Sequence, residues 1–180
     1  MGKNPFVTAP TPVESVDNES NEMQFLVDIK WGDRKMLEAL TVIASLASIA
    51  SLAIQLGVPV LADGSIDFRA VIDRIRSRLS PDEQKALDTP GAEKVISLLI
   101  IDEELLRDLK GAAERCLSAY RAQLKHGADR RYREKADRDA ERCVCENLNR
   151  IKQRNDGLLP GEGPWERWWK SYRCIDDFNY

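Results

Sequence analysis

The sequence predicts a mainly α fold: a helical bundle with a long antiparallel helical hairpin and a minor N-terminal β-strand. Three observations predict it. Sixteen residues, Ala39 to Ile54, pass without a charge and read as a strongly apolar helix. Two long segments, 91–126 and 128–155, repeat apolar residues at helical spacing. Between them stands Lys125-His126-Gly127, which has the late cations and glycine of a helix C-terminus. With 180 residues, 43% hydrophobic and 32% charged, the chain is sized for one domain whose charges stay outside. That composition excludes a collagen-like, mucin-like or wholly disordered chain. A net charge of −3 argues against a nucleic-acid partner.

Taken in order, residues 1–22 combine Pro5, Pro10 and Pro12 with polar residues and read as a disordered arm. One helical domain, 23–180, is expected after it. Phe25, Val27, Ile29 and Trp31 then alternate with polar residues, which predicts a half-buried strand over 23–31. A weak partner for it lies near Val58–Ala62, and a lone strand has to pair with something. The apolar helix is expected over 36–56, closed by Gly57 and Pro59. Asp67 can cap a helix over 68–79 with Val71, Ile72 and Ile75 on one face. Ser80-Pro81-Asp82-Glu83 has the cap, the first-turn proline and the returning Glu of a capping box, starting a helix over 81–88. Helices over 91–126, 128–155 and 164–173 complete the bundle. The second of these has a thin apolar stripe, Tyr132, Ala136, Ala140, Val144, Leu148 and Ile151, suited to one partner helix as in a coiled coil.

The apolar helix offers two functional readings. Between Ala44 and Ile54 its Ala-Ser-aliphatic triplets slip about 60° per repeat, so small and large residues spiral round the axis. Ala44, Ala47, Ile49, Ala50 and Leu52, together with Phe25, Val27 and Ile29 of the strand, then form a self-association surface. Alternatively the helix inserts in a membrane: small residues at spacings of three and four permit close helix approach. Sixteen residues span about 24 Å, short of the roughly 30 Å hydrocarbon core, which favours the soluble reading.

Trp165, Trp168, Trp169 and Tyr172 share one face of the last helix, to lock the tail or dock a partner. The four cysteines are too few for a disulfide scaffold, and the first residues lack the order of a signal peptide. A cytoplasmic protein with reduced thiols is expected. A thiol site built from Cys143, Cys145 and Cys174 is the alternative. Cys145 and Cys174 stand at matching distances from the connector that follows Asp156, so the tail can fold back to bring them level.

Catalytic patterns are nearly absent. His126 is the sole histidine, and no phosphate loop, nucleophile elbow or metalloprotease motif occurs. Asp63–Phe68 looks like half of a calcium loop, but Pro59, Leu61 and Ala70 stand where ligands are required. No catalytic residue, metal or cofactor is expected. The sequence points to a non-catalytic interaction or assembly protein, with a homo-oligomer or a protein as partner. A membrane-perturbing effector is the alternative, and a thiol redox or metal-binding protein the weaker one.

Overall fold

The uncharged run forms the axis of the molecule. In the computed structural model, which describes residues 31–125, 130–161 and 163–180, helix α1 spans Trp31–Leu56. After it come α2 (Phe68–Ile75) with a 3₁₀ turn at Arg76–Arg78, α3 (Pro81–Leu87) and α4 (Ala92–Ile101). Then follow α5 (Glu103–Lys125), α6 (Arg130–Arg154), α7 (Trp165–Ser171) and α8 (Cys174–Phe178). A helix that is apolar all round must be enclosed all round, and α1 packs against each of α2 to α6. Leu40, Ile43, Leu46 and Ile49 are fully buried at the centre. Two of the serines that spiral round α1 meet polar groups on its neighbours. Ser48 donates to Glu83 Oε1 of α3 at 2.5 Å, and Lys110 of α5 donates to Ser51 Oγ at 3.4 Å.

Local chemistry sets the ends of these helices. Gly57, with φ +83°, supplies the left-handed residue that stops α1. Asp67 caps α2 by accepting the Ala70 N–H at 3.0 Å. The Ser80–Glu83 capping box forms in full at the start of α3, with Pro81 in its first turn. Glu83 thus does two jobs, closing the cap and accepting from Ser48.

Several expectations need correction. The strand over 23–31 lies outside the described residues except for Trp31, which belongs to α1. Among the described residues no strand forms, and Val60 and Ile66 make an isolated antiparallel bridge. The single helix expected over 91–126 breaks at Asp102, whose backbone is extended (φ −108°, ψ 90°). Asp102 leaves the helix because its carboxylate caps the next one, accepting the Leu105 N–H at 2.9 Å. The expected helix over 164–173 ends at Ser171, and a further helix, α8, follows a left-handed Arg173 (φ 49°).

Helices α5 and α6 lie along one another. Cys116 is bonded to Cys143, and four residues further along α5 the Tyr120 hydroxyl donates to Asp137 Oδ1 at 2.9 Å. Rising numbers on α5 therefore meet falling numbers on α6. The residues expected to turn the chain, 126–129, lie outside the described set. Beyond α6 the chain returns to the α3–α4 junction. Gly163 has φ +84°, and a Cβ there would collide with the Pro90 carbonyl oxygen. The same oxygen accepts the Trp165 indole N–H at 2.9 Å. One carbonyl thereby seats the tail and requires a glycine two residues before the tryptophan.

Candidate functional site

The faces singled out in the sequence lie inside the fold. Ala44, Ala47, Ile49 and Ala50 are buried, and Leu52 is half-buried against the core. Phe25, Val27 and Ile29 lie outside the described residues. Trp165, Trp168, Trp169 and Tyr172 are all buried as α7 packs on α6. Trp165 and Trp168 meet edge to face at 5.4 Å, and the Lys152 ammonium sits 4.6 Å from the centre of the Trp169 ring. Most of the aromatic face is therefore consumed in holding the tail.

The cysteines overturn the expectation of reduced thiols. All four are paired, Cys116 with Cys143 and Cys145 with Cys174, at Cα separations of 6.4 and 5.2 Å that suit a disulfide. Cys143 and Cys145 sit on opposite sides of α6, and each uses its side to reach a different neighbour, α5 or α8. The opposed directions that forbid a shared metal on one helix thus allow two bridges. Among the described residues no group of three His, Cys, Asp or Glu side chains could hold a metal ion.

A recess of about 490 Å³ opens where the first turns of α1 meet α5, α6 and α7. The first turns of α1 supply Lys35, Met36 and Glu38, α5 supplies Tyr120, α6 supplies Asp137 and Glu141, and α7 with the residue after it supplies Arg167, Trp168, Ser171 and Tyr172. Asp137 and Glu141 stand one turn apart on α6, a spacing at which like charges face each other. Burial holds the Glu141 carboxyl above its ordinary range, and Asp137 and Asp177 push the same way against Arg138. Tyr172 is pushed up to about 12, by burial first and then by the carboxylates of Glu141 and Glu38. All three residues line the same recess.

That hydroxyl has no hydrogen-bond partner among the described residues, although only 9% of the residue is exposed. No fully buried side-chain nitrogen or oxygen is left unsatisfied among the described residues. The Tyr172 hydroxyl is consequently not sealed off, and the residue lines the recess. Asp137 is anchored differently, accepting from Tyr120. Sequence reasoning singled out the apolar stripe of the helix over 128–155 and missed Asp137 and Glu141. The available signal was that acid pair at i, i+4 within a run of otherwise mixed charge. No family model, curated protein or solved structure matches the chain. The recess is therefore interpreted from its own chemistry.

Proposed function

We propose that the chain is a non-catalytic helical interaction protein that docks a partner at the recess between α1, α5, α6 and α7. The observation that carries this reading is the recess itself: a concave, charged site of ligand-binding size on a molecule whose obvious sticky faces are spent internally. We place no self-association surface on Ala44, Ala47, Ile49 and Ala50, because exposing them would open the core. Two closed disulfides favour an oxidising compartment over the cytoplasm expected from cysteine count. Disulfide stapling also suits a helix as polar as α6, which has little apolar surface with which to hold its neighbours.

The test is a ¹⁵N–¹H correlation titration of the oxidised full chain with three peptide pools, one basic, one acidic and one apolar. Shifts that cluster on the recess residues, whichever pool causes them, support the reading. Shifts that map elsewhere, or none from any pool, refute it.

A second reading rests on one observation. The stretch Arg34–Leu56 is long and apolar enough to cross a membrane, and neither disulfide ties it to the rest of the chain. In that reading α1 leaves the bundle and inserts. Flotation with liposomes tests it.

A further inference from the structure

The walls of the recess are unbalanced. Three carboxylates, Glu38, Asp137 and Glu141, line it with two cations, Lys35 and Arg167, both solvent-exposed. The cation that acts on Glu141 is Arg138, which does not line the recess. Asp137 repels Glu141 from one turn away, and Tyr172 lines the recess with Glu38 and Glu141, its hydroxyl without a hydrogen-bond partner among the described residues. A carboxylate accepts hydrogen bonds and cannot donate them, and a tyrosine hydroxyl can accept one while donating another. Counted over the whole lining, carboxylates outnumber cations by one, so the recess has room for one more positively charged donor. Trp168 and Tyr172 line the same recess, and an aromatic ring is a group on which a guanidinium stacks.

We propose, resting on the recess as the docking site, that it takes an alkyl guanidinium or ammonium group presented by a partner polypeptide as an arginine or lysine side chain. Such a side chain lays its methylene stem along Trp168 and brings its charged head to Glu38, Glu141 and the Tyr172 hydroxyl. The polypeptide carrying it stays outside, where the exposed Arg167 steers away a second basic residue. A bare metal ion is the poorer fit, since no three acids among the described residues converge to bind one.

The experiment follows the Trp168 indole N–H signal of the oxidised full chain during titration. The probes are acetyl-Gly-Arg-Gly-amide, its lysine and citrulline counterparts, an acetyl-Gly-Glu-Gly-amide control, and agmatine. The arginine peptide should shift the Trp168 signal, and the neutral citrulline peptide of the same shape should bind at least about tenfold more weakly. Glu141→Gln should weaken the arginine peptide about tenfold, and Tyr172→Phe should weaken it less. Glu141→Gln removes a strained charge, so its melting temperature should be unchanged or higher, which separates lost binding from lost folding. Equal binding of the arginine and citrulline peptides overturns the proposal. Agmatine binding as tightly as the peptide overturns the polypeptide as its source. If the acidic peptide alone moves Trp168, the docking site stands and the cation falls. If no probe moves it, and the peptide pools also fail, both readings fall together.

Discussion

Removing the two disulfides should cost this protein most of its stability. The bonded cysteines are 27 and 29 residues apart. On the loop-closure model, cross-links of that span take denatured-chain entropy worth about 3.6 kcal/mol each at 25 °C. The loops 116–143 and 145–174 follow one another without overlapping, so their contributions add to about 7 kcal/mol. A domain is stable by only about 5–15 kcal/mol. At roughly 2–4 °C per kcal/mol for this chain length, one bridge should be worth about 7–14 °C in melting temperature. Both should be worth about twice that. The assay is far-UV circular dichroism melting of the oxidised protein beside Cys116→Ala/Cys143→Ala, Cys145→Ala/Cys174→Ala and the fourfold variant. Alanine is chosen because Cys145 and Cys174 are fully buried and a serine hydroxyl would add a desolvation cost of its own. Thiol titration of the denatured, unreduced protein should find no reactive cysteine. Four reactive thiols in protein made in an oxidising compartment, or variants melting within about 2 °C of the parent, would refute the reasoning.

Three further outcomes are expected. The folded-state pKa of Glu141 is raised, so the group favours folding while protonated and opposes it once ionised. Glu141→Gln should therefore raise the melting temperature at pH 7 by about 1–2 °C, with no gain well below pH 4.5, as parallel melts at the two pH values would show. Glu83 has the opposite sign: burial raises its pKa, but hydrogen bonds from Ser48 and Ser80 lower it further. Its contribution is present above pH 4.5 and fades as pH falls through the lowered value. Ser48→Ala should cost about 1 kcal/mol at pH 7 and progressively less in acid, measured by urea titration across that range. Gly163→Ala should cost about 2 kcal/mol or more, since it combines a left-handed backbone with a clash against Pro90. An unchanged urea midpoint in that variant would show that the Pro90 seat does not hold the tail.

Much of the helical content was legible because it is encoded locally. The Ser80–Glu83 box, the Asp67 cap and the glycine at position 57 each act within a few residues of one another. The break at Asp102 had a local sign too, in the acids at 102–104 that open a helix. The apolar stripe running through it concealed the break, because Leu99, Leu105, Leu106 and Leu109 reach the core from both sides of it. What stayed hidden depends on register between elements. Cys145 and Cys174 could be placed level by counting along the chain. Cys116 could not be assigned to Cys143, because periodicity sets the face a residue occupies and leaves its height against another helix undetermined. The recess was illegible for the same reason. Its lining comes from four helices, and Asp137 and Glu141 look solvated until Tyr120, Trp168 and Tyr172 are packed beside them.

The two readings of α1 have the same physical origin, so hydrophobicity alone cannot separate them. The helix is apolar on every side, and 61% of its most apolar stretch is buried within the bundle. What separates the readings is where its polar groups have gone. Ser48 and Ser51 are bonded to Glu83 and Lys110 on two different helices, so insertion must break both contacts and open the core that α1 fills. A charged substitution at Ile49 is no test, for that side chain is fully enclosed and a charge there would unfold the protein whichever reading held. Intact protein mixed with anionic liposomes is the sounder trial. At pH 7 it should remain in the dense fraction of a flotation gradient with its disulfides closed. Flotation that survives an alkaline carbonate wash would mean that α1 gains more from lipid than from its neighbours. The bundle would then be the storage form of a membrane protein.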